Sequence, residues 1–100
     1  MSIRHIVIWK MVVTEPSEKA AALAQIRQAL EPLVDHIPEL HSLTVTPNVA
    51  YFGVNGDAIL VAEFATLEDL ETYALHPLHV EAASSIKPLF ESRMAIDIEI

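Results

Sequence analysis

The sequence predicts an α+β domain of ferredoxin-like type, a four-stranded antiparallel sheet with helices on one face and the element order βαββαβ. Three observations carry this. Ile/Val-rich runs alternate with segments whose apolar residues recur at spacings of three and four. Two of the runs, residues 3–13 and 58–64, are apolar on both faces, as strands covered on two sides are. The closing stretch, RMAIDIEI, alternates strictly between apolar and polar.

Residues 3–13 read as the first strand. Ile3, Val7, Trp9 and Met11 fall on one face, and Ile6, Ile8 and Val12 on the other. Pro16 then keeps Glu15 out of helical geometry, and Ser17 is the expected cap. A helix is expected from Glu18 to about Val34, with Leu23, Ile26, Leu30 and Leu33 as its apolar stripe. Pro32 falls inside that pattern and should kink or end it near Glu31. In IPELHSLTVTPN a turn leads into a second strand, where Leu43 and Val45 alternate against Ser42, Thr44 and Thr46. His36 and His41 flank this turn and read as exposed. Residues 48–56 form a loop holding both glycines, and residues 58–64 a third strand.

Thr66, three residues before Asp69, is a capping-box-like start for a second helix. Leu67, Leu70, Tyr73 and Ala74 share one face of it. It stops at His76, because Pro77 cannot continue a helix but can open one. A short helix from about Leu78 to Ile86 follows, and RMAIDIEI is the fourth strand. Two right-handed crossovers in this order give one antiparallel sheet under one layer of helices.

With 100 residues, the whole chain, 1–100, is one domain. Its apolar fraction of 52% and mean hydropathy of +0.36 are rich for a small soluble monomer. No run approaches the roughly 20 apolar residues of a membrane span. The excess apolar surface, above all the sheet face without helices, is therefore expected to be buried in a homodimer, sheet against sheet. Six basic residues against fourteen acidic ones give a net charge of -8, which repels nucleic acid. The absence of cysteine excludes disulfides and thiolate chemistry. The apolar N-terminal patch is interrupted by Lys10 and is followed by no small-residue cleavage site, so a cytoplasmic protein is expected.

The segments IRHIVIWKM, IPELHSLTVTPN, LEDLETYALHPLHVEAASSIKPL and RMAIDIEI together resemble the stress-responsive dimeric α/β-barrel (Dabb) family over essentially the whole chain. HPLH after a short helix and RHIV at the N-terminus are its most specific elements. The resemblance implies a ferredoxin-like subunit that pairs sheet to sheet into a dimeric α/β barrel. Plant members similar to polyketide cyclases use a histidine of the HPxH element as base, a tyrosine six residues earlier, and a histidine on the first strand. Matched residue by residue, these are His79, Tyr73 and His5. The first helix of those cyclases brings aromatic residues to the substrate. Here it offers only Leu23, Ile26, Leu30 and alanines, and VEAAS follows His79, so the pocket wall departs from theirs.

The chemistry of the residue types agrees. A histidine is the natural general base at neutral pH, and a tyrosine hydroxyl can hydrogen-bond the enolate oxygen formed by proton removal beside a carbonyl. His5 shares a face with Val7 and Trp9 and would point into the same cavity. That cavity is expected to be lined by Val7, Trp9, Leu60, Ala62, Phe64, Leu67, Ala83 and Phe90. Its substrate would be a small hydrophobic carbonyl compound, turned over by cyclisation, aldol-type closure or isomerisation with no cofactor. Against this stands a structural reading, a non-catalytic stress or scaffold dimer. In it His76 caps the third helix, His79 fills a polar spot beneath it and Tyr73 is half-buried core. A third reading is a cofactor-free oxygenase.

His76 and His79 are three apart, a spacing that can chelate a metal, with Glu81 as the only nearby carboxylate. Pro77 places His76 ahead of the helix, so the two rings need not converge, and no metal is expected. Glu63, Asp97 and Glu99 lie on strands and read chiefly as edge solubility or dimer-rim contacts, to be met by Arg4 and Lys10 across the dimer.

Overall fold

The computed structural model describes all residues, Met1–Ile100. The elements are β1 (Ile3–Met11), α1 (Pro16–Leu30), β2 (Ser42–Pro47), β3 (Ala58–Phe64), α2 (Leu67–Leu75), α3 (Pro77–Ile86) and β4 (Phe90–Glu99). Two short 3₁₀ segments, Glu31–Asp35 and Lys87–Leu89, join them. The sheet order is β2-β3-β1-β4, with every neighbouring pair antiparallel. This is the ferredoxin-like βαββαβ arrangement, with β1 and β3 at the centre.

Alternation along β1 decides the architecture. Ile3, Val7, Trp9 and Met11 point to the helices and are all buried. They pack with Leu43 and Val45 of β2, Leu60, Ala62 and Phe64 of β3, and Leu23, Ile26 and Leu30 of α1. Fully burying a side chain such as Phe64 or Ile26 contributes roughly 1.5–3 kcal/mol. The opposite phase carries Ile6 and Ile8 of β1, Ile59 and Val61 of β3, and Met94, Ile96 and Ile98 of β4. No element covers this face. Ile8 remains 43% exposed, Met94 74% and Ile96 59%. A sheet with an apolar outer face is thus built into the subunit.

The boundaries differ from expectation at three proline- or pairing-controlled points. Helix α1 begins at Pro16 rather than Glu18, with Glu15 as a cap that uses no side-chain hydrogen bond, so Ser17 lies in the first turn. Proline needs no backbone donor at the first helical position, and its φ is already helical. The same helix ends at Leu30 and tightens into the 3₁₀ segment, because Pro32 cannot donate to the helical ladder. Strand β4 begins at Phe90, three residues before Arg93. Its ladder with β1 runs past a register shift, from Lys10↔Ser92 to Met11↔Phe90.

One buried carboxylate ties the end of β1 to its surroundings. Asp57, preceding β3, donates its backbone N–H to Trp9 O at 2.7 Å. Its side chain, 4% exposed, accepts from Met11 N at 2.7 Å and pairs with Lys19 Nζ of α1 at 2.9 Å. Beside it, Gly56 lies so close to β1 that an added Cβ would stand 2.4 Å from Ile8 Cγ2. Burial alone would raise the Asp57 pKa. The Lys19 and Met11 hydrogen bonds and the charges of Lys19 and Lys10 outweigh it, and hold the carboxyl below its ordinary value.

A lowered folded-state pKa stabilises the fold above the unfolded value of about 4 and ceases to as pH falls through the folded one. Asp57→Asn should therefore cost about 1–3 kcal/mol at pH 7. In urea melts at one fixed protein concentration, the gap from wild type should shrink as the pH is taken below about 4. A gap independent of pH would contradict the ion-pair account.

Candidate functional site

Pro77 shapes the site. In a continuous helix Leu78 N–H would reach back four residues to the Ala74 carbonyl. Pro77 disfavours helical geometry at His76, whose ψ is 133°. His76 closes α2 and caps α3 at once: its backbone N–H bonds Tyr73 O at 3.1 Å, and its Nδ1 accepts from Leu78 N at 3.1 Å. The Ala74 carbonyl, deprived of Leu78, receives the His79 ring instead, with Nδ1 at 3.0 Å.

A carbonyl only accepts, so Nδ1 of His79 carries the proton and Nε2 holds the free lone pair. Burial disfavours the charged ring and lowers the His79 pKa. The Ala74 bond opposes this, while His5, Arg93 and His76 push in the same downward direction. The ring is thus a neutral imidazole at pH 7.

Tyr73 lies against it, with ring centroids 4.2 Å apart. Its other side meets Phe64 at 5.1 Å. The residue is 2% exposed, and its hydroxyl makes no hydrogen bond within the chain. Burial pushes its pKa up to about 12, with Arg93 pulling slightly the other way, so the phenol stays protonated and able to donate. From β1, His5 faces the same space, with its Nδ1 donating to Asp97 Oδ1 at 2.5 Å. The two residues are direct partners in the β1–β4 register.

All three residues line one cleft of about 500 Å³ between the sheet and α3. Its inner wall is Val7, Trp9, Leu60 and Phe90, joined by Leu30 and Ile86, with Ala83 on α3. The Trp9 and Phe90 rings stack with centroids 4.8 Å apart and planes 3° from parallel. Exposed Ser84, Lys87, Glu91, Ser92 and Arg93 form the rim.

Three of the expected lining residues lie elsewhere. Ala62 and Phe64 are wholly buried, Ala62 directly opposite His5 and Phe64 against Tyr73, and Leu67 is 59% exposed at the start of α2. Asp97 faces the helix side and orients His5 instead of serving edge solubility alone, and Glu63 pairs within the chain with Arg4 at 3.6 Å. His76 and His79 direct their Nδ1 atoms to separate backbone groups, and no three His, Asp or Glu side chains converge on a common point. Arg93, which sequence reasoning gave no role, lines the cleft. The signal was in RMAIDIEI, whose alternation puts Arg93 in phase with Ala95 and Asp97.

The family model described as the stress responsive A/B barrel domain matches residues 3–100. The chain belongs to this family. A dimeric protein of unknown function with a ferredoxin-like fold from Bacteroides fragilis is 30% identical, with a TM-score of 0.86 over 99% of this chain and 96% of that one. A dimeric ferredoxin-like protein of unknown function from Thermobifida fusca is 27% identical, with a TM-score of 0.81 over 100% of this chain and 92% of that one. The hydroxynitrile lyase of Passiflora edulis shares the fold at 16% identity, with a TM-score of 0.81 over 99% of this chain and 93% of that one. No curated protein matches the chain. The stress responsive A/B barrel family thus includes proteins of unknown function, and its fold also carries an enzyme. No helix of this member is long and apolar enough to cross a membrane.

Proposed function

We propose that this protein is a homodimer that binds a small hydrophobic carbonyl compound in the cleft and abstracts a proton from the carbon next to its carbonyl. The observation that carries this reading is the state of His79. It is neutral, its Nδ1 proton is engaged by Ala74, and it lines an apolar cleft beside a tyrosine hydroxyl that has no partner in the chain. Nε2 takes the proton as the C–H bond breaks. The electron pair moves onto the carbonyl oxygen, where the Tyr73 hydroxyl donates to the developing enolate. His5, held by Asp97, closes the cleft from the sheet side. In a β,γ-unsaturated ketone, return of the proton from His79 to the γ carbon gives isomerisation; attack of the enolate carbon on a second carbonyl gives aldol-type cyclisation, with the His79 proton passing to the new alkoxide. Neither outcome needs an electron acceptor or a cofactor. The fold's use in a lyase is consistent with such chemistry but does not choose the substrate.

A second reading has its own observation. The His79–Ala74 bond joins α3 back to α2 across Pro77, which is a structural task in itself. In that case the protein is a non-catalytic dimer.

The dimer rests on the bare sheet face. Covering Ile8, Met94 and Ile96, each already partly buried, would add a fraction of the roughly 1.5–3 kcal/mol that burial of a whole such side chain contributes. The Nε of Arg4, on that same face, is buried without a hydrogen-bond partner and would find one across the interface. Dimeric relatives with the same fold support this arrangement.

Exchange of the acidic protons of 1-phenyl-1,3-butanedione and of aryl methyl ketones in D₂O, followed by proton NMR, tests the chemistry. Wild type should accelerate exchange, with a rate that rises with pH and levels off by pH 7 as His79 loses its proton. His79→Asn, whose amide nitrogen takes the place of Nδ1 and can still donate to Ala74, should lower the rate by about 10²–10⁴-fold with little change in melting temperature. Tyr73→Phe should lower it by about 10²–10³-fold. No acceleration by wild type, together with a large stability loss in His79→Ala and little in His79→Asn, would favour the structural reading.

Ile96→Glu places a charge on the bare face. Sedimentation should show a dimer for wild type and a monomer for the variant, and an unchanged dimer would refute the sheet-to-sheet interface.

A further inference from the structure

Arg93 is the cation that the chemistry above leaves unused. It stands on β4 opposite Trp9, in the phase that faces the helices, and it lines the cleft with Tyr73 and His79. Its guanidinium forms no ion pair and no hydrogen bond within the chain, although the protein carries fourteen acidic residues. The neighbouring charges do not neutralise it. Glu91 lies two residues away on the same strand without pairing with it, and Asp97 is engaged by His5. Its field reaches the reacting groups, since it lowers the pKa of both Tyr73 and His79. An unpaired guanidinium on the rim of an apolar cleft has the fork geometry that grips a carboxylate with two parallel hydrogen bonds.

We infer that Arg93 is a specificity-determining residue, and that the compound bound in this cleft carries a carboxylate as well as its carbonyl. This rests on the reading of the cleft as a site for carbonyl compounds. The apolar body of the ligand lies against Trp9 and Phe90, its carbonyl faces Tyr73 and His79, and its carboxylate reaches outward to Arg93. Arg93 is a binding residue here. It takes no proton.

Trp9 is the only tryptophan of the chain and lines the cleft, so its fluorescence reports occupancy of this site directly. The probes are 4-oxo-4-phenylbutanoate and its methyl ester, which share an aryl ketone and differ in charge. Wild type should bind the acid more tightly than the ester. Arg93→Gln should weaken the acid by about tenfold to a hundredfold while leaving the ester unchanged, and Arg93→Lys should recover part of the loss. If wild type binds both equally, or Arg93→Gln weakens both equally, the carboxylate inference is overturned and the carbonyl cleft stands. If neither probe changes Trp9 fluorescence at millimolar concentration, both fall together.

Discussion

The site depends on one hydrogen bond, from the His79 ring to the Ala74 carbonyl, and that bond exists because Pro77 interrupts a helix. A continuous helix would satisfy Ala74 with Leu78 N–H and leave His79 free to turn toward solvent. With Pro77 in place, Leu78 is capped by His76 and Ala74 needs another donor. The side chain that supplies it is thereby fixed in position and in tautomer. The same contact holds the imidazole against Tyr73, and Tyr73 is in turn backed by Phe64. A proline placed for backbone reasons thus sets which nitrogen of a histidine can act.

The sheet supplies the other half of the site through its two-residue period. One phase of β1 puts His5 beneath the helices together with Val7 and Trp9. The same phase of β4 puts Asp97 beside His5 and Arg93 beside Trp9. The outer phase puts Ile6, Ile8, Met94, Ile96 and Ile98 on the bare face. A one-residue slip of β4 would exchange these sets, burying aliphatic side chains beside the histidine and turning the charges toward the bare face. The polar groups of the cleft and the apolar outer face are therefore fixed by one register.

Much of this was legible in the sequence. The two-sided apolar pattern of residues 3–13 implied one covered and one uncovered face, and the split at His76–Pro77 gave the helix joint and the cap. His5, Tyr73 and His79 emerged from a family resemblance, and the fold brings all three to one cleft. The misses have physical causes. Ala62 and Phe64 share the helix-facing phase with the lining residues, but both are wholly buried, Phe64 against Tyr73, and phase alone does not say where a layer of helices opens. Leu67 shares helical spacing with Tyr73, yet it sits in the first turn, beyond the reach of the core. Asp97 and Arg93 were obscured because β4 is an edge strand. Its helix-facing phase is polar, and a polar phase on an edge strand looks like a solvated one until its partner strand is known.

The proposed chemistry needs His79 as a neutral imidazole with its proton on Nδ1 and its lone pair on Nε2. Long-range ¹H–¹⁵N correlation spectra of the histidine rings at pH 7 test it most directly. His79 should show a protonated Nδ1 and a bare Nε2, with the Nε2 resonance moving when 1-phenyl-1,3-butanedione is added. A proton on Nε2, or an imidazolium at neutral pH, would contradict it, because Nε2 would then have no lone pair with which to remove a proton.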